Sequence, residues 1–144
     1  METSDGTIIS QTEAIARHIA RMNLAAGLIG KTNFENAKMN EWIAWSQLEW
    51  IPAMHRASCM IYGHEKVNME QFNSDVKKMK EAAKILDKYL KDKNWINHDT
   101  FTLADIYVGS AMIPAFQLIF DPGFRKAMPN LTKWFDRFTL DPFI

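Results

Sequence analysis

An all-α fold follows from three observations on this sequence. Apolar residues recur at helical spacing, most plainly at Met69, Phe72, Val76, Met79, Ala83, Leu86 and Leu90, which step by three and four along one seam. Strand patterning is confined to Thr7-Ile8-Ile9-Ser10. Residues 106–120 carry no charge, and a helix that is apolar all round is either a membrane span or the buried centre of a helical domain. The run is shorter than the roughly 20 residues a span needs. Pro114 in its middle would also kink it. A helical bundle built around a buried central helix is the expectation.

The entry to that helix is written twice over. Thr102 is placed to cap it by accepting the Asp105 N–H, and the Asp105 carboxylate can reach back to the Thr102 N–H. Phe101 and Ile106 are spaced to form a hydrophobic staple across the cap. Asp105 also favours the helix dipole. The capping role accounts for this carboxylate without chemistry, and losing the cap alone would cost about 0.5–2 kcal/mol.

In chain order, Asp5-Gly6 marks a turn before the strand-like stretch. Residues 11–23 read as a helix with Ala14, Ile15, His18, Ile19 and Met22 on one face and Ser10 or Thr12 as N-cap. Gly27, Gly30 and Lys31-Thr32-Asn33 form a break between two packing units, residues 1–26 and 27–144. Residues 33–61 follow as a long helix dense in aromatics, which Pro52 should kink or divide. Residues 68–91 form the seam helix described above. Its lysines, Lys77, Lys84, Lys88 and Lys91, are interleaved with Asp75, Glu81 and Asp87. That pattern is a solvated face rather than an RNA-binding patch. Trp95 and Ile96 should anchor the loop at 92–100. After the central helix, Asp121-Pro122-Gly123 breaks the chain, a short helical turn follows at 124–127, and a last helix at 131–138 turns Leu131, Trp134, Phe135 and Phe138 inward.

The composition narrows the function classes. Seventeen basic and seventeen acidic residues cancel, so no bulk field draws the chain to nucleic acid or an anionic membrane. One cysteine, Cys59, rules out an internal disulfide and fits a reducing, cytoplasmic setting. Its apolar surroundings read as a small buried hydrophobe rather than a nucleophile. No secretory leader is visible. The four histidines are scattered without a paired spacing, so no metal site is expected. The six glycines do not form a phosphate-binding loop.

The motifs carry a resemblance. Phe101-Thr102-Leu103-Ala104-Asp105-Ile106 resembles the capping box and staple that open the central buried helix of the glutathione transferase C-terminal domain. Ile9-Ser10-Gln11-Thr12-Glu13-Ala14-Ile15 resembles the point where that family's thioredoxin-like domain leaves its last strand and begins its last helix. Thr12 stands where Ser is usual. The two long helices occupy the places of the family's fourth and fifth. The stretch from Asp121 to Phe135 is similar to the gamma-subunit family of translation elongation factor 1, with Phe124-Arg125, Pro129-Asn130 and Trp134-Phe135 in the same order. The region 42–52 and Lys84-Ile85-Leu86-Asp87 fit it too. The likeness covers residues 3–144. It implies a remnant of a thioredoxin-like domain, a short strand and one helix at 1–26, followed by the transferase-type helical domain.

Two pieces of the family's chemistry are missing: the catalytic Tyr, Ser or Cys, and the cis-proline that orients glutathione, since the first proline is Pro52. The chain is therefore expected to be a fragment or the product of a gene that lost its flanks. By resemblance, Gln11 and Thr12 would hold the γ-glutamyl end of glutathione at a helix start. Half a pocket without the nucleophile-activating residue should not catalyse, so neither a catalytic residue nor a bound cofactor is expected. The leading expectation is a non-catalytic scaffold module of the exchange-factor complex. Its implied partners are elongation factor 1B subunits and an aminoacyl-tRNA synthetase, or a second copy as a homodimer. The aromatic helix at Trp42, Trp45 and Trp50 is the expected contact surface. The alternatives are a glutathione transferase whose active site is completed by another chain or by residues outside this one, and a scaffold subunit of another large assembly.

Overall fold

The computed structural model describes residues 1–140; the last four positions of the expected 27–144 unit lie outside the described residues. Seven α-helices occupy those residues: α1 Thr12–Met22, α2 Asn33–Trp45, α3 Ile51–Ile61, α4 Met69–Tyr89, α5 Leu103–Leu118, α6 Pro122–Ala127 and α7 Pro129–Thr139. A 3₁₀ turn at Leu24–Ala26 follows α1. The strand at 7–10 is reduced to an antiparallel bridge pairing Glu2 with Ile8, flanked by hydrogen bonds from Ile9 N–H to the Met1 carbonyl and from Thr3 N–H to the Thr7 carbonyl, both at 2.9 Å.

Residues 33–61 form one long helical run, as their aromatic pattern predicts, with an accommodation at Pro52. Pro52 cannot donate to the carbonyl four residues back. The chain widens into a π-helical turn at Ser46–Trp50, and Ile51 N–H reaches five residues back to the Ser46 carbonyl. The start of the run is a second capping box. Glu35 N–H donates to Thr32 Oγ1 at 3.1 Å, and Thr32 N–H donates to the Glu35 carboxylate at 3.2 Å.

The core joins α2, α3, α4, α5 and α7, with Trp50, Met79, Leu86, Met112, Leu131 and Phe138 fully enclosed. At Gly109 the backbone of α5 meets the Phe138 ring of α7 so closely that an added Cβ would lie 2.6 Å from it. Pro114 sits inside α5, and three residues before it the Trp50 indole donates to the Ala111 carbonyl at 2.9 Å. At the end of α5, the Arg125 guanidinium serves the carbonyls of Phe116 and Phe120.

Two of the three acidic residues expected on the solvated face of α4 are instead structural, while Glu81 is exposed. Asp75 is fully buried and pairs with Arg56 of α3 at 2.6 Å. Asp87 accepts from the N–H groups of Asn130 and Leu131, both at 2.9 Å, and so caps α7 from another helix. Neither role is local in sequence. Among the described residues, no helix is long and apolar enough to cross a membrane.

Candidate functional site

The start of α5 is more than a cap. Thr102 N–H donates to Asp105 Oδ2 at 3.0 Å, one of the two arms that the spacing predicts, while the Asp105 N–H donates to the Thr102 backbone carbonyl at 3.0 Å and the Thr102 hydroxyl turns to Asp105 Oδ2 at 3.4 Å. The other carboxylate oxygen, Oδ1, accepts from Ile96 N–H and from the Trp134 indole N–H, each at 2.9 Å. One side chain thus ties the start of α5 to the loop at 95–100 and to α7. Asp105 is completely enclosed. Burial pushes its carboxyl up, and the donors from Ile96, Trp134 and Thr102 oppose that push. The loop is further held by Tyr89 Oη, which donates to the Ile96 carbonyl at 3.0 Å. Phe101 packs edge-on against Trp95 with ring centroids 4.8 Å apart, and Phe101 and Ile106 both lie half-buried against the core. Every polar atom of the Asp105 carboxylate is committed to the fold. The site holds structure together and presents no reactive group to solvent.

The start of α1 differs from its expected form. Neither Ser10 nor Thr12 caps it. Gln11 takes the N-cap position with φ 70°, a left-handed conformation uncommon outside glycine, and makes no side-chain cap bond. No side chain therefore serves the first N–H groups of α1, beside the Gln11 and Thr12 pair. What ties α1 to the rest is largely polar. Arg17 pairs with Glu13 and donates to Asn40, while Gln47 donates to Glu13 at 3.2 Å. Ala20 is its one core residue.

The aromatic helix is not an outward surface. Trp50 is 0% exposed and Trp42 only 5%, and Trp45 is half-buried. Trp42 meets Trp45 edge-on at 5.2 Å and Tyr89 at 4.5 Å. Trp50 meets Phe120 edge-on at 6.0 Å. These indoles fill the space between α2, α4 and α5, where large flat side chains bury the most area. Aromatic density in the sequence marked core, not contact surface.

Cys59 is half-buried rather than enclosed, its Sγ 3.7 Å from His55 Nε2 one turn back. Among the described residues, no group of His, Cys, Asp or Glu side chains is arranged to hold a metal ion. Two features were not found from sequence. The Arg56–Asp75 pair has no local signal, whereas Thr32 and Glu35 have the capping-box spacing that could have revealed them.

Comparison with known proteins agrees with this architecture. The model of the glutathione S-transferase C-terminal domain family matches residues 50–142. Elongation factor 1-gamma of Drosophila melanogaster is 31% identical over 136 residues, covering 93% of this chain and 30% of its own. A glutathione S-transferase-like protein, LUC7, of a Fusarium species is 27% identical over 137 residues, covering 94% of this chain and 63% of its own. The chain thus spans less than two thirds of either relative. Among solved structures, a glutathione S-transferase of Xanthobacter autotrophicus py2 superposes with a TM-score of 0.82 at 19% identity, covering 99% of this chain and 68% of that one. The glutathione transferase URE2P6 of Phanerochaete chrysosporium, solved with oxidized glutathione, gives 0.83 at 15%, covering 96% and 64%. A capped α5 with an internal proline at the centre of the helical array, and a family model spanning more than half the chain, lead to one conclusion: this chain belongs to the glutathione S-transferase C-terminal domain family.

Proposed function

We propose that this chain acts as a non-catalytic interaction module in translation elongation, holding exchange-factor subunits together through helical surfaces. The observation that carries this reading is the 31% identity to elongation factor 1-gamma, which extends over 93% of the chain. The fate of its polar groups supports it. The fully buried carboxylates of Asp105 and Asp75 are both spent on the fold. Elongation factor 1B subunits and an aminoacyl-tRNA synthetase are the partners to test, in the cytoplasm where elongation takes place.

A second reading rests on the start of α1. Its N–H groups lack a side-chain cap beside Gln11 and Thr12, which suits a carboxylate such as the γ-glutamyl end of glutathione. On this reading the chain is part of a glutathione transferase, as the name of its Fusarium relative suggests. One experiment separates the two. The purified chain is incubated with exchange-factor subunits, passed over immobilised glutathione and assayed for conjugation. Co-purification with the subunits without turnover is the expected result. Retention on glutathione with turnover would remove the scaffold reading.

A further inference from the structure

A cleft lies between the start of α2 and the loop that follows α4. It encloses about 350 Å³ between Phe34 and Lys38 of α2, Tyr89 at the end of α4, and Lys93 and Asn97 of the loop. That volume is at the lower end of the range for small-molecule sites. Both walls are fixed by the fold. Thr32 and Glu35 close the capping box at the start of α2. Tyr89 Oη donates to the Ile96 carbonyl at 3.0 Å, and Trp95 N–H donates to the His98 carbonyl at 2.6 Å. A ligand entering such a cleft spends little on ordering it.

The polar groups around the Tyr89 ring are unbalanced toward donors. Lys93 Nζ lies 4.2 Å and Lys38 Nζ 5.9 Å from the centroid of that one ring. Lys93 donates to the Tyr89 carbonyl at 2.5 Å and Lys38 to Glu41 at 2.6 Å, which leaves each ammonium further protons to give. The Lys38–Glu41 pair is solvent-exposed, so it holds Lys38 weakly. Glu35 is the one carboxylate among the described residues that line the cleft. Its Oε2 already accepts the Lys31 and Thr32 N–H groups. Trp42 packs on the same Tyr89 ring at 4.5 Å, and its buried Nε1 has no acceptor among the described residues. Two cations converging on one ring favour an anion between them. Phe34 adds an aromatic face to this basic site and is 74% exposed. A phosphate group fills only part of the cleft, and a flat ring set against Phe34 takes up the rest.

From this we infer that the cleft binds a nucleoside monophosphate, its phosphate shared between Lys38 and Lys93 and its base stacked on Phe34. Such a site goes beyond the interaction-module reading and does not depend on it.

The test follows the amide chemical shifts of the ¹⁵N-labelled full chain as AMP is added at low salt. Saturable shifts are expected at residues 34–38 and 89–98, half-complete at or below about 1 mM AMP. Lys93→Gln should weaken binding about tenfold through the lost charge-assisted bond. Phe34→Ala, at an exposed position, should weaken it about fivefold through the lost stacking. Adenosine, without the phosphate, should bind at least about tenfold more weakly than AMP. Both variants should keep the parent's helical circular dichroism. Absence of saturable shifts, or shifts centred on other residues, overturns the inference. Equal affinity for adenosine and AMP, or equal AMP binding by the parent and both variants, overturns it too. Inorganic phosphate that matches AMP, with Phe34→Ala unaffected, overturns it in favour of a simple anion site. Failure of AMP while exchange-factor subunits still co-purify sinks the cleft alone. AMP binding without those subunits sinks the functional reading and leaves the cleft standing.

Discussion

Asp105 and Tyr107 stand two residues apart on α5, and their polar atoms meet opposite fates. The Asp105 carboxylate receives donors from three elements and no solvent. The Tyr107 hydroxyl is buried and has no partner among the described residues. Both groups lose water on folding, and only the first is compensated. The difference separates a side chain that the fold satisfies from one that the described fold leaves unsatisfied. It also divides α5 into a flank sealed against α7 and a flank left open toward α1.

The largest test of this contrast is Asp105→Ala. It strands the Ile96 and Thr102 N–H groups and the Trp134 indole in a dry interior, so the cost should reach about 3–5 kcal/mol by denaturant unfolding. That exceeds the cost of a helix cap alone, because two of the donors come from outside α5. A loss of only about 1 kcal/mol would reduce Asp105 to a local cap.

Gly109→Ala probes the sealed flank. The new methyl would lie 2.6 Å from the enclosed Phe138 ring, and the overpacking should cost about 1–3 kcal/mol. A neutral result in thermal melts would mean that α7 can slide away from α5.

Arg56→Met isolates a second buried carboxylate whose partner reaches solvent. The Arg56 guanidinium, aided by Gln71, holds the Asp75 carboxyl below its usual range. Because the folded-state value is depressed, this stabilisation is present above the ordinary carboxylate value of 3.8 and is lost as pH falls below it toward the lower folded value. Arg56 is 42% exposed, so screening limits the loss to about 1–2 kcal/mol at neutral pH. Urea melts at a series of pH values should show a shallower acid decline in the variant than in the parent.

The smallest effect belongs to Tyr107→Phe. Removing an unpartnered hydroxyl should leave stability unchanged or raise it by up to about 1 kcal/mol.

How much of this was legible in the residues follows the range of each interaction. The Asp105 arm of the cap, the seam of α4 and the inward face of α7 are short-range patterns that spacing alone makes legible. Trp134 and Ile96 converging on Asp105 is a tertiary fact with no periodic signature, so a cap was legible where a hub exists. Asp87 reads as solvated because the helix it caps begins more than forty residues later. Trp42 and Trp50 were misplaced because aromatic enrichment is shared by cores and interfaces; only burial separates the two. The cavity lined by Ala16, Ile106 and Tyr107 has no sequence signal, since these residues come together only once α1 lies across α5.

The most direct measurement compares the unfolding free energies of Asp105→Ala and Tyr107→Phe with the parent in one urea series. A loss of about 3 kcal/mol or more for the first, beside no loss for the second, is the expected result. Equal destabilisation by both would show that the Tyr107 hydroxyl has a partner inside the fold and would contradict the division of α5 into a sealed and an open flank.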